Sequence, residues 1–182
     1  MKTKHAPEAL KNLKDLNMNP RQNEQGFTLI ELLIVMSLIL ILMTLAVPQM
    51  LKLTKTAHET SAIQSLRTIV QAQLQYNSQY PANGFSCSLP QLGGDPKSGA
   101  PSAQSSQLIE PGLASGNKAG YSFNITNCTK VTVNNQDMYT GYEVTAVPNS
   151  IGKSGDRGFC ADENNKITFD PTGGTNCTQP IQ

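Results

Sequence analysis

The feature that most constrains this 182-residue chain is a run of apolar side chains near its N-terminus. Between residues 27 and 47 the only ionisable side chain is Glu31. Roughly 20 consecutive apolar residues are enough for a helix to cross a bilayer. The sequence therefore predicts a membrane-spanning helix at residues 27–53. A cleavable secretory signal is the alternative, but its apolar region would be too long and would carry an acidic residue near its start.

Charge is distributed unevenly about this run. The segment before Gly26 contains five basic and three acidic side chains, whereas the rest of the chain contains nine basic and ten acidic ones. A basic flank is retained in the cytoplasm, so we expect the C-terminal side to cross the membrane. The net charge of +1 offers no basic footprint, and no nucleic-acid partner is expected.

The helix is predicted to continue past Pro48 to about Tyr80. Proline removes one backbone donor and crowds the preceding turn, so we expect a kink at Pro48. Beyond it, apolar residues recur at intervals of three and four, which predicts an amphipathic helix that stops at Pro81. A helix of this length would extend roughly 80 Å. Its first half must therefore project into membrane or partners, while its second half packs on a soluble head. The apolar positions of the second half are Ile63, Leu66, Ile69, Val70, Leu74, Tyr76 and Tyr80.

The head, residues 54–182, is predicted to combine this amphipathic helix with a small sheet. Residues 81–120 are rich in glycine, proline and serine, which is typical of a connecting loop, with one short helical turn expected within 108–113. Alternating apolar residues predict short antiparallel strands within 121–182, with a turn near Asn127 and a hairpin across 162–165. The predicted fold class is α+β, with one long N-terminal helix packed by its second half against an antiparallel sheet of three to five strands.

All four cysteines follow the apolar run, on the side that is expected to be exported. An even number of cysteines in an oxidising compartment indicates two disulfides, and four cysteines allow three pairings. No two cysteines are spaced as C-x-x-C and the chain has two histidines, which argues against a zinc site. The cysteines are Cys87, Cys128, Cys160 and Cys177.

No constellation of catalytic residues stands out in the sequence. We find no histidine near a nucleophile motif, no glycine-rich phosphate loop and no metal triad, so neither enzymatic activity nor a cofactor is expected. Asp156, Asp162, Glu163 and Asp170 could offer oxygen ligands to calcium, but their spacing fits no EF-hand and such residues also form ordinary turns. No metal site is therefore predicted.

The residues GFTLIE at 26–31, the apolar run after them and Pro48 resemble the N-terminus of type IV pilins and of the related pseudopilins of type II secretion. The match is close over residues 26–48. The rest of the chain agrees in architecture, with a long helix, a connecting loop, a small antiparallel sheet and a C-terminal cysteine pair. This resemblance implies a pilin fold and a role as a filament subunit.

The resemblance also implies a processing step and an assembly step. A prepilin peptidase would cut between Gly26 and Phe27, remove the leader 1–26 and methylate the new amine of Phe27. Glycine suits the cut because, without a side chain, it lets a protease approach the backbone closely. The carboxylate of Glu31 would pair with the Phe27 amine of a neighbouring copy, since a charge inside hydrocarbon needs a partner.

Partners, location and disulfides follow from the same resemblance. A separate assembly ATPase and inner-membrane platform proteins would drive polymerisation through the N-terminal helices. The chain would be held by lipid in the bacterial inner membrane and then enter an extracellular pilus or a periplasmic pseudopilus. The loop closed by Cys160 and Cys177 resembles the C-terminal disulfide loop of type IV pilins, and Cys87 would then pair with Cys128.

Other interpretations of the same residues remain. A pseudopilin of type II secretion would use the same assembly chemistry. A monomeric membrane-anchored binding module would use the loops at 81–120 and 148–180 to recognise a surface or ligand. A minor pilin that caps a filament lies between these alternatives. The leader is long beside those of pilins that begin with phenylalanine, and Met18 is an alternative to Met1 as the start of the chain.

Overall fold

The structure is a computed structural model that describes residues 26–97 and 99–181, apart from the side chains of Leu45 and Pro48. The prediction of a start at Met18, and that of the leader 1–26 except for Gly26, fall on residues 1–25, which lie outside the described residues. The chain divides into two compact units, Met1–Met43 and Thr44–Gln182. The predicted head boundary after residue 53 stays a prediction.

The α+β class is confirmed, since one long helix precedes an antiparallel sheet. Helix α1 spans Leu29–Gln79, close to the predicted range. Two four-residue helices follow, α2 at Leu89–Leu92 and α3 at Pro111–Ala114. The turn expected within 108–113 therefore begins later, because Pro111 is pre-organised for a first helical position, where its missing N–H costs no hydrogen bond.

In the first unit, every described side chain between residues 26 and 43 is exposed, and the large apolar ones range from 43% exposure at Ile39 to 90% at Phe27. Among the described residues, no single helix is both long and apolar enough to cross a membrane. Two consecutive helical segments, Leu29–Thr44 and Gln49–Gln79, pass that test as a broken pair, on length and composition alone. An apolar surface of this extent marks a face that contacts lipid or another protein.

The sheet contains six strands, each antiparallel to the next and arranged in chain order. Two of them, at the sheet edges, have only two residues each. This explains why the alternating pattern predicted fewer strands. The strands are β1 Asn117–Lys118, β2 Tyr121–Val133, β3 Gln136–Pro148, β4 Gly158–Asp162, β5 Ile167–Asp170 and β6 Gln179–Pro180.

The turn predicted near Asn127 is wrong, because β2 continues through that position. Asn127 has a φ of 50° and lies where the β2–β3 register shifts, so it belongs to a β-bulge. Asparagine tolerates this left-handed conformation, which lets the strand absorb an extra residue without ending. The chain reverses instead at Asn134 and Asn135, with φ of 52° and 61°, as a two-residue hairpin turn requires.

In the second unit, one core cluster contains buried residues from α1 and from the sheet. Leu74, predicted to be buried, is 45% exposed, whereas Gln73 is fully buried. The buried face follows Leu66, Ile69, Gln73 and Tyr76, and Leu74 lies one residue off that helical period. The sheet contributes Tyr121, Phe123, Ile125, Tyr142, Val144 and Phe159.

Gln73 is tolerated in this core because both ends of its amide are paired. Its Nε2 donates to the Ser86 carbonyl at 2.7 Å, and the Ser86 N–H donates to its Oε1 at 2.8 Å. A buried polar group satisfied in this way avoids the cost of desolvation. The pair of hydrogen bonds therefore ties the connecting loop to α1.

Two disulfides staple the second unit. Cys87 is joined to Cys128, and Cys160 to Cys177, with Cα–Cα distances of 6.0 and 5.9 Å. These are the two pairs that the resemblance implied. The first links the connecting loop to β2 beside the bulge, and the second closes the C-terminal loop.

Candidate functional site

The first turn of α1 is held by a reciprocal pair of contacts between Thr28 and Glu31. The Thr28 N–H and hydroxyl donate to Glu31 Oε2 at 2.9 and 2.8 Å, and the Glu31 N–H donates to Thr28 Oγ1 at 3.3 Å. Because α1 begins at Leu29, Thr28 is the N-cap and Glu31 the third helical residue. This arrangement is a capping box, which satisfies backbone donors that a helix start would otherwise leave unpaired.

The carboxylate of Glu31 is therefore held in one orientation in the uncleaved chain. A negative charge in the first turn is also favoured by the helix dipole. Both hydrogen bonds that the carboxylate accepts from Thr28 use Oε2, and Oε1 accepts no hydrogen bond from the residues that the structure describes. One oxygen thus stabilises the helix start and the other remains able to accept a further donor.

The predicted cleavage position lies directly before this turn. Gly26 and Phe27 are exposed, and a Cβ added at Gly26 would meet nothing within 4 Å. Packing within the described chain therefore places no demand for glycine at this position.

Pro48 lies within the α1 span, and two helical segments of α1 are separated between Thr44 and Gln49. The predicted kink at Pro48 stays a prediction, as do the cleavage, the methylation of Phe27 and the assembly role of Glu31.

A second polar cluster ties the loop between β3 and β4 to α1. Glu59 is 7% exposed and accepts four hydrogen bonds, from the backbone N–H groups of Asp156 and Arg157 and from two nitrogens of the Arg157 guanidinium. The guanidinium also lies 5.4 and 5.2 Å from the ring centres of Phe159 and Phe169. The ion pair between Glu59 and Arg157 therefore lies where the β3–β4 loop contacts the core residue Phe159.

The C-terminal disulfide loop is organised around Asp170. Its Oδ1 accepts from the Thr172 hydroxyl and N–H at 2.7 and 2.8 Å, and its Oδ2 accepts from the Asn176 N–H at 3.0 Å. The Thr172 hydroxyl first, and then these backbone N–H groups, hold the pKa of Asp170 below its ordinary value. The buried carboxylate thus fixes the loop that Cys160 and Cys177 close.

The four acidic residues that could have formed a calcium loop serve separate contacts. Asp156 pairs with Lys55, and Asp162 accepts from the N–H groups of the β4–β5 turn. Glu163 accepts from the side-chain amide of Asn164, and Asp170 holds its own loop. Within residues 26–97 and 99–181, no group of three His, Cys, Asp or Glu residues could hold a metal ion.

Comparison with known proteins now gives the N-terminal geometry its context. Residues 21–47 match the family model described as the prokaryotic N-terminal methylation motif. That motif is the hallmark of type IV pilin and pseudopilin precursors, so the resemblance predicted from GFTLIE is confirmed. It implies processing by a prepilin peptidase and pilus assembly, from a membrane-anchored precursor. No curated protein and no solved structure matches the chain.

Two functional features escaped the sequence interpretation. Thr28 was not singled out, although the spacing T-x-x-E ahead of an apolar run is a readable signal for a capping box. The Glu59 cluster has no such signal, because its partners lie 97 and 98 residues away along the chain.

Proposed function

We propose that this chain is the precursor of a structural subunit of a type IV pilus-like filament. It is cleaved after Gly26, methylated on Phe27 and polymerised through its N-terminal helix. The observation that carries the proposal is the first turn of α1, where Glu31 uses one carboxylate oxygen to hold Thr28 and keeps the other open.

Cleavage creates the partner that this open oxygen lacks. An amine appears at Phe27 only when the peptide bond after Gly26 is cut, so an uncleaved copy offers no such cation to its neighbours. An amine and a carboxylate attract strongly where water is excluded. Because the capping box already orients the carboxylate, little freedom is lost when a neighbour's amine binds.

The side chains of α1 suit burial among other helices. The apolar residues of the first unit are exposed, and the Ser37 hydroxyl donates to the Leu33 carbonyl at 2.8 Å. A hydroxyl bonded within its own helix can enter lipid or a helical bundle without losing a water partner. The membrane interior and the core of a filament both exclude water, so such a helix passes from one apolar environment to another.

The other partners follow from this role. We propose that the chain is not an enzyme, and that a separate ATPase and inner-membrane platform proteins extract it from the membrane. The two disulfides then protect the head in the oxidising space outside the cytoplasm.

The test is to express the full chain with a prepilin peptidase and an assembly system, and to compare Glu31→Gln with Glu31→Ala. Glutamine at this position still serves a capping box but carries no charge. We expect both variants to yield an N-terminus at methylated Phe27 by mass spectrometry, and neither to form filaments.

The two readouts separate the parts of the proposal. Any N-terminus other than methylated Phe27 in the wild-type chain would overturn the processing step. Normal filaments from Glu31→Gln would show that the charge is unnecessary and would overturn the assembly step. Filaments from Glu31→Gln but not from Glu31→Ala would assign Glu31 a capping role alone.

A pseudopilin of type II secretion is the second candidate, because the matched motif is common to both classes. The C-terminal loop closed by Cys160 and Cys177 favours the pilus subunit, by its resemblance to the pilin disulfide loop. Shed extracellular filaments with this chain as the main component would support a pilus, whereas filaments confined to the periplasm would support a pseudopilus. A minor pilin would be a rare component of either kind of filament, and an anchored binding module would be absent from them.

A further inference from the structure

The loop between β3 and β4, residues 149–157, is attached to α1 by hydrogen bonds and ion pairs. Lys55 Nζ donates to Asp156 at 2.9 and 3.1 Å, and Glu59 receives the four hydrogen bonds described above. These attachments begin two residues and end six residues beyond Leu53, which is about 3–9 Å along a helix. The loop therefore lies close to the last apolar turns of α1 in the second unit.

Those last turns present apolar side chains to the surroundings. Val47, Met50, Leu51 and Leu53 are between 59% and 65% exposed. Exposed apolar residues in such number indicate contact with a non-aqueous phase or another protein. The membrane-spanning helix is predicted to end at Leu53, so we expect a loop attached about 3–9 Å further on to meet the headgroup layer, which is roughly 5–8 Å deep on each side of a bilayer.

The tip of the loop has the properties of a membrane-interface segment. Ile151 is 62% exposed, although it lies beside Gly173, and Lys153 is exposed two residues later. The Gly152 N–H donates to the Gly155 carbonyl and the Ser154 N–H to the Ser150 carbonyl, both at 2.9 Å. A turn with its backbone donors paired can enter a less polar layer at lower cost.

The charges around the loop leave an excess of cations. Lys55 pairs with Asp156, and Arg157 pairs with Glu59. For Lys52 and Lys153, the part of the chain that the structure describes supplies no ion-pair partner. Lys52 lines the same surface hollow as Asp156 of this loop, and Lys153 lies two residues after the exposed Ile151. Two uncompensated lysines in the region of an exposed isoleucine match an anionic lipid surface, because lysine stems cover apolar area while their amines reach headgroup phosphates.

We propose that Lys52, Ile151 and Lys153 form a docking surface for anionic lipid headgroups, used while the chain is anchored in the membrane. The inference rests on the proposed function, which supplies the membrane anchor. Docking holds the head against the bilayer surface until assembly removes the subunit.

The chain contains no tryptophan, so a single introduced indole reports on this surface. The full-length Ile151→Trp chain is reconstituted into vesicles of phosphatidylglycerol that contain brominated phosphatidylglycerol, a contact quencher. The control is Val133→Trp, at the exposed last residue of β2, next to the β2–β3 turn. We expect the emission of Ile151→Trp to shift to shorter wavelength and to be quenched, and that of Val133→Trp to remain unquenched.

Charge variants then test the recognition. In the Ile151→Trp background, Lys52→Glu with Lys153→Glu should abolish quenching, since each lysine changes the ratio of docked to free heads by roughly fivefold. Lys97→Glu with Lys166→Glu makes the same change of charge at exposed lysines outside the surface and should leave quenching intact.

Three results would overturn the proposal. One is an unquenched Ile151→Trp in anionic vesicles, and another is equal quenching in phosphatidylcholine vesicles. The third is an emission shift that follows the protein-to-lipid ratio, which would identify a second copy as the occupant. Vesicle flotation measures separately whether the chain is anchored in the membrane. Neither measurement depends on filament formation. Failure of the proposed function and failure of lipid docking are therefore distinguishable.

Discussion

Replacing Glu59 with glutamine should destabilise the head more than any comparable change on its surface. Glutamine keeps the shape and one carbonyl oxygen, so it can still accept from the N–H groups of Asp156 and Arg157. Its amide nitrogen, however, replaces Oε2, to which Arg157 donates at 2.9 and 2.6 Å. The amide NH2 group of the glutamine would then face two N–H donors of the Arg157 guanidinium. The guanidinium would also lose its counter-charge.

The magnitude follows from the burial of the pair. Breaking a fully buried ion pair by removing one partner costs about 3–5 kcal/mol. The side chain of Glu59 is 10% exposed but that of Arg157 is 41% exposed, so water recovers part of the loss at the arginine. We therefore expect a loss of about 2–3 kcal/mol, which corresponds to a fall in melting temperature of roughly 6–10 °C.

The assay is urea denaturation of the oxidised full-length chain in detergent, followed by circular dichroism. Lys55→Gln is the matched control, because it breaks an exposed pair with Asp156 and should cost less than about 1 kcal/mol. A cycle with Arg157→Met isolates the coupling energy between Glu59 and Arg157. Equal losses for Glu59→Gln and Lys55→Gln, or no coupling in the cycle, would refute the reasoning.

Two further predictions concern the two disulfides and the C-terminal loop. Because Cys87–Cys128 closes a separation of 41 residues and Cys160–Cys177 one of 17, the chain-entropy relation gives losses of about 4 and about 3 kcal/mol for the paired Cys→Ala variants. Denaturation midpoints check this order, and a reversed order would count against the entropic account. Since the folded-state pKa of Asp170 is lowered, its contribution is present above the unfolded pKa of about 3.9 and is lost as pH falls through the folded value. The stability advantage of wild type over Asp170→Asn, measured between neutral and strongly acidic pH, should shrink only below that point; a pH-independent advantage would contradict it.

Features that depend on neighbouring residues could be predicted from the sequence. The apolar run, the position of Glu31 and the T-x-x-E spacing all lie within one continuous helix, where side-chain positions follow directly from residue number. The same holds for the hairpin across 162–165, whose two strands adjoin their turn. The capping role of Thr28 was open to prediction for this reason, although it was overlooked.

Features that depend on a single position within a periodic pattern were harder to predict. Leu74 and Gln73 differ by one residue, and hydrophobicity alone favoured the wrong one. Gln73 is buried because Ser86, 13 residues away, pairs with both ends of its amide. Asn127 shows the same limitation, since asparagine at positive φ suits either a turn or a bulge, and the pairing of β2 with β3 decides between them.

The sequence by itself determined the N-terminal part of this protein: where the long helix begins, that Glu31 is the one ionisable side chain between residues 27 and 47, and which precursor motif the chain carries. Only the tertiary structure decided what holds the head together and what it presents near the last apolar turns of α1. Glu59 looks like an ordinary solvent-facing charge until the fold brings Arg157 to it, and Ile151 looks like a core residue until the loop leaves it exposed. The physical reason is separation along the chain, because local patterns specify helices, whereas burial and charge pairing depend on residues outside the same element, 13 positions away for Gln73 and 97 or 98 for Glu59.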